Sequence, residues 1–328
     1  MLITQKYHSA FEIDPEFIPS LEELLKDKIP SFEWIKFQEE KTPEDVHFAY
    51  YLFFGNEHNS PVGYAQACIH NKESHGSFLG KFLGHAKREK SLIWSMFGEN
   101  FQGVIFEPKY SKEGLENAKS LIREYNERED INFHFLKIEK KDHDQLNDLS
   151  PIKTQTEVLV DGLIKNQDSY QDYLNALSPA IQKNIKSLWK DLYQKPGFKF
   201  GNYNQFKSCF SYKSKGLEQY NEFKNNNRVQ IYIKFCENFF TLETDEEVKA
   251  IIYFIEGKAN HVFCDFIALD RDLDKDLLIQ ASILSFYENR DWSHLHFLNQ
   301  TRDYNRFKDL GVRTKTQECL TFKSHDHF

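Results

Sequence analysis

The sequence contains few of the features that mark extracellular, metal-binding or membrane-spanning proteins. Its five cysteines are dispersed and form no CxxC pair: Cys68, Cys209, Cys236, Cys264 and Cys319. This odd number favours buried free thiols in a reducing compartment over a disulfide framework or a metal cluster. No apolar run approaches the ~18 residues of a membrane span, and the first residues show no signal-peptide core. We therefore predict a cytoplasmic protein with no membrane span.

Glycine and proline are also scarce, with 14 and 9 residues in a chain of 328. No GxSxG, P-loop or dinucleotide-binding fingerprint occurs, so the common signatures of serine hydrolases, P-loop nucleotidases and Rossmann enzymes are missing. The spacing of His70, His75 and His85 matches no standard ligand pattern, and we predict no metal site.

The chain is instead rich in aromatic and charged residues. Aromatic residues make up 15%, including 30 Phe and 16 Tyr, which allows a large core. Charged residues make up 28% with a net charge of −8, as in a globular rather than a disordered protein. The acidic balance argues against general DNA binding, although a local basic groove remains compatible with it.

The order of strand-like and helix-like segments predicts a duplicated α/β unit. The stretch from Gly103 to Leu136 and the stretch from Phe263 to Leu298 both read as strand, loop, helix, polar turn and aromatic strand. The polar run Lys140–Pro151 is the best boundary candidate. With a length suited to two domains, we predict an N-terminal domain over 1–150 and a C-terminal domain over 151–328.

One short helix places several lysines in this acidic chain. The string YLNALSPAIQKNIKSLWKDLYQKPGFK has a Ser-Pro start signal and a Pro-Gly stop signal. Lys183, Lys186, Trp189 and Lys190 are three and four residues apart, which predicts one shared face. On spacing alone, an ordinary solvated basic face is the favoured interpretation, since lysines are mostly exposed.

Several strings in the second half resemble a known family. TQTEVLVDGL, SYQDYLNALSPAIQKNIKSL and GFKF, with the later LLIQASILSFYENRDWSHLHFLNQTRDYNRFKDLGV, resemble the Fem-type tandem-GNAT acyltransferases. Those enzymes add amino acids to peptidoglycan precursors, and the related bacterial acetyltransferase-like domain is similar as well. The likeness extends from about Phe48 to Phe322. Gln182 departs from it, because the family usually has arginine there.

The resemblance implies both a fold and an activity. The fold would be α/β, with two tandem GNAT-like domains, each a mixed, mostly antiparallel sheet flanked by helices. The activity would be transfer of an acyl or aminoacyl group to a small-molecule or peptide amine in a cleft between the halves. The donor would be acyl-CoA or aminoacyl-tRNA, with tRNA as a partner in the second case. The basic helix would lie near the substrate channel, which makes Lys183, Lys186 and Trp189 candidate substrate-binding residues.

The two loops that would hold CoA phosphates lack the glycines typical of such loops. The second-half loop, Leu269–Asp276, reads LDRDLDKD and carries four aspartates, which would cap a helix but repel pyrophosphate. The first-half loop, Glu107–Gly114, offers Lys109, Ser111 and Lys112 near a helix start. A simple capped helix is the favoured interpretation there, and neither loop is strong support for CoA.

Candidate catalytic residues lie on the last strands and helix. Asp265 sits on the mostly apolar strand HVFCDFIAL, and a carboxylic acid in apolar surroundings holds a proton more tightly, as a general base at neutral pH requires. A salt-bridged structural aspartate is the alternative. Tyr304 is the candidate acid, since the position where the family has a tyrosine is Phe307, and Asn299 and Arg302 are candidate substrate-binding residues beside it.

Two functions therefore compete. The basic helix and Asp265 favour an acyltransferase, whereas the acidic loop and Phe307 favour a catalytically inactive GNAT-fold binding protein. We lean towards the enzyme.

Overall fold

The structure is a computed structural model that describes most of the chain. The residues outside the description are 1, 43–45, 57–58, 74–87, 95–102, 127–132, 140–148, 150, 152, 196, 212–214, 225–226, 245–246, 271, 299–303 and 324–328. The described chain divides into two compact units. The first comprises Met1–Lys28, Ile35–Leu159 and Lys315–Phe328, and the second comprises Ile29–Trp34 and Val160–Thr314.

The first unit is a mixed sheet with helices. Its strands are β1 (Ile3–Tyr7), β2 (Val46–Phe54), β3 (Pro61–Glu73), β4 (Arg88–Trp94), β5 (Val104–Phe106), β6 (Phe133–Glu139) and β13 (Arg313–Lys323, from Lys315 on). They run in the order β1-β2-β3-β4-β6-β13, and β5 pairs with β3. Among the strand pairs described for this unit, β4 with β6 is the parallel one. The helices are α1 (Ile18–Leu24), α2 (Phe32–Lys41, from Ile35 on) and α3 (Ser111–Asn126), which connects β5 to β6.

The second unit repeats this pattern. Its strands are β7 (Lys153–Ile164, from Val160 on), β8 (Lys199–Tyr203), β9 (Phe239–Thr244), β10 (Glu247–Glu256), β11 (His261–Ala268) and β12 (His294–Phe297). Their order is β7-β12-β11-β10-β9-β8, and among the pairs described here β11 with β12 is the parallel one. The helices are α4 (Tyr170–Ala176), α5 (Pro179–Tyr193), α6 (Gly216–Phe223), α7 (Asn227–Phe235), α8 (Lys275–Glu288) and α9 (Tyr304–Asp309).

The predicted fold class is confirmed by this topology. Apart from β5, which lies off the main strand order of the first unit, each unit has four antiparallel strands, a fifth strand that is parallel to the fourth and reached through a helix, and a sixth that is antiparallel to the fifth. The sixth strand does not follow the fifth along the chain in either unit: β13 completes the first sheet and β7 the second. The division into domains at residue 150 stays a prediction, and most of the polar run around it lies outside the described residues.

Each unit has its own hydrophobic core. In the first, Phe53, Trp94, Leu136 and Leu320 belong to one buried cluster. In the second, α8 is buried along most of its length and packs with β10, β11 and β12. A helix that is apolar on nearly all sides is expected at the centre of such a core.

One local prediction was wrong. The serine that was expected to cap the helix at 111 is part of the helix itself, which continues directly from the short 3₁₀ turn Pro108–Tyr110 without a side-chain cap. Proline at the first position of that turn replaces the capping signal, because its fixed φ and missing N–H suit a helix start.

Candidate functional site

Asp265 lies in the interior of the second unit, at the point where two parallel strands stop pairing. The register of β11 with β12 ends at Cys264 and Phe297, and Asp265 follows directly. Its side chain is fully buried. One carboxylate oxygen accepts a hydrogen bond from the Tyr232 hydroxyl of α7, and the other accepts one from the Phe266 backbone N–H at 2.8 Å. Both oxygens are therefore held in fixed directions.

The surroundings of Asp265 are aromatic and sulfur-containing. The Tyr232 ring stacks on Tyr253, which lies opposite Asp265 in the β10–β11 register, with ring centroids 3.9 Å apart. Burial raises the pKa of the Cys236 thiol, and the nearby Asp265 charge raises it further. Burial likewise raises the pKa of the Cys264 thiol. Both thiols stay protonated at neutral pH, so neither is an activated nucleophile.

The other candidates at the end of the chain are only partly described. Tyr304 is the first residue of α9, but its side chain is not described. Asn299 and Arg302 lie outside the described residues. Phe307 is fully buried and packs on Phe297 with ring centroids 4.8 Å apart, so this position has a role in the core.

The basic helix α5 has the predicted limits, but its lysines and its tryptophan differ in exposure. Ser178 caps it, accepting a hydrogen bond from the Ile181 N–H. Lys183 and Lys186 are exposed, whereas Trp189 is half-buried against the core. The Trp189 indole N–H donates to the Tyr170 hydroxyl at 3.1 Å. Trp189 is thus partly buried while the two lysines are exposed, because its large ring gains more from burial than from solvent.

Gln182 stands where the family usually has arginine, and it has a structural partner. Its side-chain amide donates to the carbonyl oxygens of Leu177 at 2.8 Å and Asn175 at 3.3 Å. These carbonyls lie at the end of α4 and just beyond it. Gln182 thus satisfies carbonyl groups that a helix end leaves without a helical partner.

Asp265 and Trp189 lie on opposite faces of the second sheet. Successive residues of a strand point to opposite faces, and Cys264, the neighbour of Asp265, belongs to the same core cluster that Trp189 packs against. The candidate base and the tryptophan of the basic helix therefore do not share one face of the sheet.

A carboxylate of the acidic loop before α8 accepts a backbone N–H at the N-terminus of that helix. Asp274 is the N-cap, and its carboxylate accepts the Asp276 N–H at 2.8 Å. The Asp270 carboxylate accepts the Asp272 N–H at 3.0 Å and lies 3.5 Å from the Lys249 ammonium. The backbone donors that could bind a phosphate are thus partly taken by carboxylates, and their charges oppose a second anion.

The corresponding loop of the first unit borders a large cavity. The cavity has a volume of about 1020 Å³ and is lined by α1, the start of β3, β5 and the start of α3. Glu23, Asp27 and Glu107 lie around it, with Lys28 and Ser111. Lys109 lies over the Tyr110 ring, 5.1 Å from its centroid. The excess of carboxylates does not favour pyrophosphate here either.

A histidine cluster in the second unit was not predicted. His261 Nδ1 and His296 Nε2 are 2.8 Å apart, and His261 stacks on His294 with centroids 4.2 Å apart. The sequence signal for this cluster was the spacing of His294 and His296, two residues apart on one strand. Among the residues that the structure describes, no group of three or more His, Cys, Asp or Glu side chains is arranged to hold a metal ion. Within the same residues, no helix is both long and apolar enough to cross a membrane.

Comparisons with known proteins identify similar folds only. No protein-family model matches the sequence, and no curated protein matches it. A tandem GNAT protein from the clavulanic acid biosynthesis pathway, solved without AcCoA, is 9% identical over the full length of both chains, with a TM-score of 0.48. A GNAT-family acetyltransferase from Colwellia psychrerythraea is 8% identical over 98% of this chain and 100% of its own, with a TM-score of 0.46. A GCN5-related N-acetyltransferase from Sphaerobacter thermophilus is 9% identical over 100% and 97%, with a TM-score of 0.40.

Proposed function

We propose that this protein is an acyltransferase that moves an acyl or aminoacyl group onto an amine, with Asp265 as the general base. The observation that carries the proposal is the buried Asp265 carboxylate at the end of the parallel β11–β12 pairing. In open α/β sheets, ligands bind beyond the carboxyl ends of parallel strands. A carboxylate at this point is placed to meet a substrate that enters between the two strand ends.

The reaction needs one proton acceptor and one proton donor. In the proposed step the acceptor amine replaces Tyr232 as the hydrogen-bond partner of Asp265, and the carboxylate takes a proton from its nitrogen. The nitrogen then forms a bond to the acyl carbon, and the bond from that carbon to the donor sulfur or oxygen breaks. The leaving group takes a proton from an acid, for which Tyr304 is the candidate. General base catalysis of this kind contributes about 10²–10⁴-fold in rate.

The donor is the less defined substrate. The Asp274 cap and its neighbouring carboxylates do not fit CoA pyrophosphate at the start of α8, so no step is assigned to CoA there. The exposed Lys183 and Lys186 suit an anionic donor or carrier. An acyl thioester and an aminoacyl-tRNA both meet that requirement, and a Fem-type activity would correspond to the second.

A binding protein without catalysis is the second candidate. The same acidic loop favours it, as does Phe307, which fills core volume at the position where the family has its tyrosine. Under this proposal Asp265 is a structural group that fixes α7 to the sheet through Tyr232.

The test measures product formation and stability together. Purified protein is incubated with a mixture of acyl-CoA thioesters or with charged tRNA, and with a panel of amines, and acylated products are detected by mass spectrometry. Asp265→Asn keeps an oxygen that can accept the Phe266 N–H and an amide N–H that can donate to the Tyr232 hydroxyl oxygen, but it removes the base, so product formation should fall about 10²-fold or more with little change in Tm. Asp191→Asn, an exposed aspartate on α5, is the matched control and should retain full activity. Products formed equally by wild type and Asp265→Asn would exclude Asp265 as the base, and absence of products with every donor would favour the binding protein.

A further inference from the structure

The second unit contains a smaller cavity on the sheet face opposite Asp265. Its volume is about 390 Å³, and it lies between the end of α8, the end of β10 and the segment that leads into β9. Phe254, which lines it, pairs with Cys264 in the β10–β11 register, so its side chain and that of Asp265 point to opposite faces. The cavity is therefore separate from the proposed acyl-transfer site and does not depend on it.

Aromatic side chains line this cavity. Phe254 and Trp292 are both buried, and their ring centroids are 4.8 Å apart. Phe240 meets Phe254 edge to face at 5.4 Å. Aromatic faces attract cations through their quadrupole, and indole does so most strongly.

The charges around the cavity are all of one sign. Among the described residues that line it, the charged ones are Glu237, Glu256 and Glu288, which are all exposed at its rim, and none is a lysine or an arginine. None of these three carboxylates has an ion pair within the described part of the chain. The Trp292 indole N–H donates to Glu256 at 2.9 Å and fixes that carboxylate at the rim.

The end of α8 adds to the negative potential. Ser285, Glu288 and Asn289 line the cavity, and the last turn of the helix has no basic residue. The carbonyl end of a helix carries a partial negative charge and favours a cation. Lys165 donates to the Asn289 carbonyl at 2.6 Å, but its ammonium lies over the Phe286 and Tyr287 rings and is not part of the lining.

We propose that this cavity binds a small organic cation, a primary ammonium group on a short aliphatic chain. The aromatic lining accommodates the aliphatic part, and the three carboxylates compensate the charge. At the volume that a water molecule takes in the liquid, the cavity has room for on the order of ten non-hydrogen atoms. An anionic ligand would meet three like charges and no basic residue of the lining.

The test compares a cation with a neutral molecule of the same shape. Full-length protein is titrated with n-butylammonium and, separately, with n-butanol, and the Trp292 indole N–H resonance is followed by NMR. Because this N–H donates to Glu256, it reports directly on the cavity rim. We expect a saturable shift with n-butylammonium, and a weaker or absent shift with n-butanol.

Charge variants complete the experiment. The combined variant Glu237→Gln, Glu256→Gln and Glu288→Gln should lower the affinity for n-butylammonium at least tenfold. The control Glu16→Gln, Glu218→Gln and Glu222→Gln removes the same charge from exposed sites elsewhere and should bind within twofold of wild type. No saturable shift, an equal response to n-butanol, or an equal loss in the control variant would each overturn the proposal.

Discussion

Leu320 tests whether the last strand of the chain completes the first sheet. Leu320 on β13 pairs with Leu136 on β6, and both side chains are only 1% exposed. They belong to the cluster that contains Trp94. Replacing a fully buried leucine by alanine removes its transfer free energy and leaves a cavity, at a cost of about 2–5 kcal/mol.

The expected effect is large compared with the stability of a typical domain. Domains are stable by roughly 5–15 kcal/mol, and 1 kcal/mol corresponds to about 2–4 °C for 150–250 residues. Leu320→Ala should therefore lower the Tm of the first unit by about 4–20 °C. Leu217→Ala is the matched control, because Leu217 is 72% exposed and its removal should change stability by no more than about 0.5 kcal/mol.

Hydrogen exchange locates the effect along the chain. In Leu320→Ala, amides of β2, β3 and β6 should exchange faster than in wild type, although Leu320 lies more than 180 residues beyond β6 in sequence. Amides of β10 and β11 should change little, because those strands belong to the second unit. Faster exchange confined to β10 and β11 would refute the assignment of β13 to the first sheet.

Three further predictions concern charge. Calorimetry with acetyl-CoA should show weak or no binding at the Asp270–Asp276 loop, because its carboxylates oppose pyrophosphate; tight binding that is abolished by Asp270→Asn would contradict this. Lys183→Glu with Lys186→Glu should reduce turnover or ligand affinity while Tm changes by at most about 2 °C, and unchanged activity and affinity would make these lysines an ordinary solvated surface. Hydrogen bonds from Lys215 and then Lys249 lower the pKa of Glu247 to about 2, so its contribution to stability is present above the unfolded pKa of about 4.3 and is lost as the pH falls towards 2. Thermal melts should show Glu247→Gln a few degrees below wild type at pH 7, and this difference should shrink between pH 4 and 2.

Strong local signals were enough to predict several elements. The stretch Glu256-Gly257-Lys258 between two strand-like runs is a hairpin signal, and β10 and β11 pair on either side of it. The Ser178-Pro179 start of α5 was also predicted correctly. In both cases the deciding interaction lies within a few residues, so no knowledge of the tertiary structure was needed.

An element whose local secondary-structure preference is outweighed by its packing was not predicted. The segment Asn227–Phe235 reads NRVQIYIKF, and its Val and Ile residues favour a strand over a helix. It is nevertheless helix α7, because burial of Val229 and Tyr232 outweighs the local preference. The short strand β9, Phe239–Thr244, was not predicted either, although it pairs with β10 inside the sheet.

The repeat in the sequence could not predict which strand pairs with the fifth strand of each sheet. Similar order in the two halves suggests that each half ends with its own sixth strand. In the structure, β6 pairs with β13 and β12 pairs with β7. Local sequence cannot distinguish the two pairings, since either one covers the free edge of the fifth strand with an alternating, half-buried strand.

Asp265 was found from the sequence, but its partner Tyr232 was not, and this partner decides how the residue is tested. Tyr232 is 33 residues away and reaches Asp265 only because α7 covers that face of the sheet. A buried, hydrogen-bonded carboxylate suits a base and a structural anchor equally well. Asparagine at 265 can accept the Phe266 N–H with its one oxygen and donate its amide N–H to the Tyr232 hydroxyl oxygen, so a structural role predicts little loss of any kind, whereas a catalytic role predicts lost turnover at nearly unchanged Tm. Tyr232→Phe gives the complementary result: it removes the hydroxyl that holds α7 to Asp265 and should lower Tm, whereas turnover should persist if Asp265 is the base, because the carboxylate itself remains.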